Sequence, residues 1–168
     1  MIYIYTGKIH SGKTTSIINW INKNKNVAGV LTPVINGKRY FVFYPSRRKY
    51  LVEANDKSKQ EIIPCGNYKF RKIIFDKANE YLKKGINENY EWVVIDEAGF
   101  LELDNSGFHT SIEDAVQKSS LKSAKTNLII IVRDTLVESV LKKYKIEKTA
   151  KVINEISELE IISWKSFS

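Results

Sequence analysis

The sequence predicts an α/β fold: a mostly parallel central sheet with helices on both faces and an antiparallel β-hairpin extension. Three observations predict it. The runs Ile2 to Tyr5, Trp92 to Ile95 and Leu128 to Val132 are apolar without alternation, the mark of strands buried on both faces. Between these runs lie segments with helical spacing, and strands alternating with helices imply parallel crossovers. Asn36-Gly37, set between β-rich runs, is a strong two-residue hairpin signal.

Each element follows in order. Ile2 to Tyr5 is the first strand and opens directly onto glycine. From Lys13 a helix is expected, with Ile17, Ile18 and Ile21 on one face, Trp20 beside it, and Lys23 and Lys25 near the end that favours cations. Val27 to Ile35 and Lys38 to Tyr44 form the hairpin region, Pro45-Ser46 turns the chain, and Tyr50 to Glu53 is another short strand. Asn55 to Gln60 reads as a polar loop. A helix over Arg71 to Lys84 carries Ile74, Ala78, Tyr81 and Leu82 on one face, with Gly85 as its stop. After the strand Trp92 to Ile95, a helix is expected from about Thr110, because Thr110 and Glu113 have capping-box spacing. Asp134 or Thr135 starts a further helix bearing Leu136, Val140 and Leu141. Val152-Ile153 and Leu159 to Trp164 read as final strands. No linker or repeat interrupts the 168 residues, so residues 1–168 are expected to form a single domain.

Composition narrows the class. Hydrophobic residues at 43% and charged residues at 27% match an ordinary soluble globular chain. The apolar runs are too short to span a bilayer, and the N-terminus lacks the features of a signal peptide. One cysteine, Cys65, cannot make an internal disulfide, so a cytoplasmic location is expected. The net charge of +8 admits a nucleic-acid partner, although the lysines are spread along the chain and Arg47-Arg48-Lys49 is the densest basic run.

Chemistry enters at Gly7-Lys8-Ile9-His10-Ser11-Gly12-Lys13-Thr14, which fits G-x-x-x-x-G-K-[ST] between an expected strand and an expected helix. Glycines let the backbone curl so that successive N–H groups face phosphate oxygens, and the helix start adds its positive dipole end. Lys13 is expected on the β- and γ-phosphates and the Thr14 hydroxyl on Mg²⁺, with Lys8, Ile9, His10, Ser11 and Thr15 contributing to the nucleotide cradle. A loop of this type needs a second metal anchor at the end of a neighbouring strand. Asp96 supplies it, and Glu97 beside it is placed to polarise a water for attack on the γ-phosphate.

The string Ile95-Asp96-Glu97-Ala98-Gly99-Phe100-Leu101-Glu102-Leu103, followed by Phe108, resembles the D-E-x-G-x-x-E-L signature of the small, thermophile-type and cancer-related nucleoside-triphosphatases. Thr6-Gly7, Gly12-Lys13-Thr14-Thr15, Val27 to Gly29 followed by Thr32, and Cys65-Gly66-Asn67-Tyr68 are similar to further steps of that family. The resemblance covers residues 1 to about 140. It implies a RecA-like P-loop NTPase domain that hydrolyses ATP, GTP and other nucleoside triphosphates to diphosphates with Mg²⁺ and broad base tolerance. Lys13 and Thr14 would then contact phosphates and metal, Asp96 the metal as a Walker B residue, and Glu97 the water; Glu102 would be a supporting acid. Pro33 stands where the family tends to carry an acid, and the segment from Lys145 matches poorly.

Other residues are less decisive. Arg133, after the strand Leu128 to Val132, could neutralise charge on a transferring phosphoryl group, but pairing with Asp134 or Glu138 at the surface is the better expectation. Tyr40, Phe41, Phe43 and Tyr44 read chiefly as core, and His109 as a solvated or capping loop residue. The chain has no N-K-x-D or T-K-x-D guanine-reading sequence and no zinc-ligand cluster. Two alternatives remain beside hydrolysis. One is a small-molecule or nucleotide kinase, for which Arg39, Arg47 and Arg48 could form a lid; the other is a nucleotide-switched protein that touches nucleic acid.

Overall fold

In a computed structural model, the structure describes residues 1–8, 11–55, 60–88, 90–119, 121 and 126–159. The three apolar runs form strands β1 (Ile2–Gly7), β8 (Trp92–Ala98) and β9 (Asn127–Arg133). With β2 (Val27–Leu31) and β10 (Ala150–Ile153) they pair in parallel in the order β10-β1-β9-β8-β2. β4 (Lys38–Tyr44) adds antiparallel to β2, and β3 (Val34–Ile35) and β5 (Arg48–Leu51) pair with β4. The β3–β4 turn is the expected Asn36-Gly37 hairpin, and both turn residues have positive φ.

Period-two alternation divides the strand residues between two cores. Ile2, Ile4, Val93, Ile95, Ile130, Phe41 and Phe43 face α2 (Lys72–Asn87), α4 (His109–Ser119) and α5 (Val137–Tyr144). Tyr3, Tyr5, Val94, Ile129, Ile131, Val42 and Tyr44 face the other way, where α1 (Lys13–Lys23) contributes Ile17, Trp20 and Ile21. Both faces of the sheet are therefore covered, as unbroken apolar strands require. Trp20 meets Trp92 edge-on at 5.1 Å between ring centres, which fixes α1 against β8. Phe41, Phe43 and Tyr44 of β4 are core residues, as expected, whereas Tyr40 is only half-buried.

Several elements differ from expectation. Helix α2 does not stop at Gly85 but runs through it to Asn87. Gly85 is buried where a side chain would not fit: a Cβ there would lie 2.9 Å from the Ala28 Cβ on β2. Its glycine serves helix–sheet packing, which local sequence rules read as a terminator. Thr110 lies inside α4, so it cannot cap that helix. β5 begins earlier than Tyr50, and Glu53 makes only an isolated bridge to Phe70. Two elements were not expected: the hairpin β6 (Ile62–Cys65) and β7 (Tyr68–Arg71), and the one-turn helix α3 (Phe100–Leu103). A 3₁₀ turn, Asp134–Leu136, precedes α5. Residue 159, the start of the last expected strand, lies in a short helical turn; residues 160–164 and most of the expected loop over 55–60 lie outside the described residues. Among the described residues, no helix is long and apolar enough to cross a membrane.

Candidate active site

The carboxyl ends of the parallel strands carry the predicted residues, the place where open α/β sheets bind ligands. Register does the gathering. Gly7 at the end of β1 lies opposite Arg133 at the end of β9, and Asp96 on β8 lies opposite Ile131. A one-residue slip then puts Ala98 opposite Val132, leaving Glu97 as the extra residue of a bulge that re-aims the strand end.

Gly12 caps α1 with φ 82°, a left-handed backbone that suits glycine and turns the chain from loop into helix. The first turn of α1 has no acidic side chain, so its N–H groups and dipole meet no negative charge from the helix itself. The Lys13 ammonium donates to the carbonyls of Gly7 and Lys8 at 2.7 Å each and approaches the Ser11 hydroxyl at 3.4 Å, so its charge sits within the loop. Ile9 and His10, the other expected loop positions, lie outside the described residues.

Asp96 is the buried centre of the site. Its Oδ2 accepts from the Thr14 hydroxyl at 3.1 Å, from the Thr32 backbone N–H at 3.0 Å and from the Thr32 hydroxyl at 3.2 Å. Burial pushes its carboxyl up to about 6, against the pull of the Thr32 N–H. The neighbouring Glu97 charge adds to the rise, and the two threonine hydroxyls oppose it. A buried carboxylate facing a hydroxyl is a hard-oxygen pair suited to a divalent cation such as Mg²⁺, which would offset the cost of its burial. The side chains present therefore fit the ion.

Glu97 is one-third exposed and held by two arginines. Arg133 Nη2 lies 3.3 Å from Oε1, and Arg39 Nη1 lies 3.8 Å from Oε2. The surface pairing expected for Arg133 is not what the structure shows. Asp134 instead accepts from the Thr135 N–H at 2.9 Å, and Glu138 pairs with Lys142 at 2.7 Å. Arg39 also differs from Arg47 and Arg48, with which it was grouped as a possible lid: Arg48 is exposed, and exposed Arg47 donates to Asn22, whereas Arg39 points into the cleft. The signal was the alternation in β4, which puts Arg39 on the inward stripe of Phe41 and Phe43. Thr32 is marked in the sequence only as a step of the family resemblance, and its anchoring of Asp96 has no local signal, because the contact spans 64 positions of sequence.

Glu102 is buried and accepts from the Gly99 N–H at 2.7 Å and the Phe108 N–H at 2.8 Å. Burial raises its carboxyl despite these bonds. It ties the 99–108 segment together beneath the cleft and does not line the triphosphate side. His109 packs at the start of α4 against the Tyr144 hydroxyl at 3.1 Å and near Glu113 at 3.3 Å, away from the solvated position expected of it.

Together Ser11, Gly12, Lys13, Thr14, Thr15, Asp96 and Glu97 border one cleft of about 480 Å³, with Thr32, Arg39 and Arg133 on its walls. A sequence model described as NTPase matches residues 2–160. The chain belongs to the NTPase family. The match extends past residue 140, where the resemblance in sequence fades, and takes in β10, which pairs in parallel with β1. The fold is shared with two solved structures. THEP1 from the hyperthermophile Aquifex aeolicus is similar with a TM-score of 0.69 at 18% identity, over 100% of this chain and 97% of that one. A human cancer-related nucleoside triphosphatase is similar with a TM-score of 0.67 at 18% identity, over 99% and 97%. No curated protein matches the sequence. Family membership makes this chain a nucleoside-triphosphate phosphohydrolase.

Proposed function

We propose that residues 1–168 form one cytoplasmic domain that hydrolyses nucleoside triphosphates with Mg²⁺ and broad base tolerance. The observation that carries this reading is the convergence of Lys13, the Thr14–Asp96 pair and Glu97 on one cleft. The loop N–H groups and Lys13 bind the phosphates and orient the γ-phosphate. Thr14 and Asp96 would hold Mg²⁺, whose chemistry when bound is to neutralise charge on the β- and γ-oxygens. Glu97 accepts a proton from the water aligned for in-line attack. Arg133 and Arg39 fix its carboxylate and add positive charge beside the transferring group.

Base tolerance is supported by the rest of the cleft lining. Besides its charged and hydroxyl-bearing residues the cleft presents Ile18, Pro33, Val34 and Ile131, side chains that distinguish no base by hydrogen bonding, and the Tyr68 ring, which can stack on any base. The test is phosphate release from ATP, GTP, CTP and UTP, each with Mg²⁺ and with EDTA. Similar rates for all four and loss with EDTA are expected. Turnover of a single triphosphate would remove the tolerance, and undiminished turnover in EDTA would remove the metal.

A further inference from the structure

The triphosphate cleft has a neighbour. A second cavity of about 130 Å³ lies against it, and Thr32, Arg39, Tyr68, Glu97 and Arg133 line both. Beyond that shared wall the character changes. The second cavity is lined by Phe41, Phe70, Phe75, Leu101, Phe108 and Leu136, with Cys65 and the Glu102 carboxylate, itself bonded to the Gly99 and Phe108 N–H groups, among them. Its volume is close to the roughly 150 Å³ of an engineered apolar cavity that holds benzene. Two large side chains that line it, Tyr68 on β7 and Phe100 on α3, are 51% and 62% exposed, so the cavity is open to solvent along ring edges. On the polar side the guanidinium groups of Arg39 and Arg133 flank the Glu97 carboxylate. One end of the cavity therefore suits a ring, and the other offers a donor and a carboxylate.

We propose that this cavity is a second substrate site, taking a one-ring aromatic molecule that carries a hydroxyl group, which replaces water as acceptor of the γ-phosphate. The proposal rests on the hydrolytic reading above, since Glu97 serves both acceptors. In the transfer, the hydroxyl oxygen bonds to the γ-phosphorus and the bond from that phosphorus to the β–γ bridging oxygen breaks. The hydroxyl proton passes to Glu97, and the products are a phosphate monoester and a nucleoside diphosphate. Burial raises the Cys65 thiol, which keeps it neutral and leaves it a lining group without nucleophilic character. Hydrolysis is then what the site does when the second cavity holds water.

Phenol, 4-methylphenol and benzyl alcohol, incubated with the full chain, ATP and Mg²⁺, test this in two readouts: saturation transfer from protein to ring protons, and ³¹P detection of a phosphate monoester. Wild type is expected to show both with at least one probe. Phe100→Ala removes an exposed wall, and Gly99→Leu projects into space where a Cβ meets nothing within 4 Å. Neither residue lines the triphosphate cleft. Both variants should release phosphate from ATP alone at the wild-type rate. Monoester yield should fall about tenfold in Phe100→Ala, the scale of a lost apolar pocket contact, and further in Gly99→Leu. Phosphate release without monoester, with or without ring saturation, overturns the acceptor role and leaves hydrolysis standing. If ATP is not consumed at all, the hydrolytic reading fails separately, and the saturation signal then decides the cavity. Its loss in Gly99→Leu supports a ring site, and its absence from wild type overturns one.

Discussion

Asp96 concentrates the conflict between stability and chemistry in one residue. Its carboxyl is buried and raised to about 6 from an ordinary 3.8. A raised acid favours folding while protonated, so its stabilising contribution is complete below the unfolded value and is lost as pH rises through about 6. The difference corresponds to about 3 kcal/mol lost at neutral pH without metal. Asp96→Asn keeps an acceptor for Thr32 and Thr14 and removes the charge. In metal-free buffer it should be more stable than wild type at pH 7, with the advantage vanishing near pH 4, as thermal unfolding across that range would show. The same variant should lose Mg²⁺-dependent turnover. Lys13 and Glu97 separate in the opposite sense. Lys13→Ala should weaken triphosphate binding sharply, whereas Glu97→Gln should bind normally and lose turnover by about 10²-fold or more. Titration calorimetry and phosphate release read the two quantities independently, and equal binding by the Lys13 variant would show that the loop is not the site.

At the level of elements, legibility in the sequence followed how local each signal was. The parallel strands declared themselves through unbroken apolar runs such as Leu128 to Val132, and the phosphate loop through contiguous residues. Asp96 and Glu97 were visible because the strand ends on them. The β6–β7 hairpin was not, because Pro64 breaks its pattern and its partners are contacts with distant residues such as Glu53 and Val52. Helix α3 has four residues and is held by the Glu102 carboxylate, so no periodicity announces it. Arg39 reaches the site only when β4 pairs with β2, and Thr32 only when β2 pairs with β8. Gly85 shows the same limit in reverse, since a stop signal in sequence is a packing requirement in space. Gly85→Val should drive α2 away from Ala28 and lower stability by about 1–3 kcal/mol, the range for overpacking. Urea unfolding measures it, and a neutral result would mean that α2 can shift freely on β2.

The whole molecule determines how the site and the stability are joined. Lys13 comes from α1, Thr32 from the loop after β2, Arg39 from β4, Asp96 from β8 and Arg133 from β9, so the cleft draws on three strands of the main sheet, the loop after a fourth and the first helix. A ligand that bridges them binds the folded chain and not the unfolded one. Mass action then stabilises the entire unit by about 2.7 kcal/mol at a ligand concentration one hundred times the dissociation constant. Where the chain unfolds as one cooperative unit, this appears as a rise in a single thermal transition. With Mg²⁺ and a non-hydrolysable triphosphate, calorimetry should show one transition that moves upward as a whole. Lys13→Ala should abolish the movement while leaving the transition of the ligand-free protein single. Two transitions, of which only one responds to nucleotide, would divide the chain into separate units and place the cleft in one of them. A single responsive transition is what a site assembled from five separate elements of one sheet and its first helix requires.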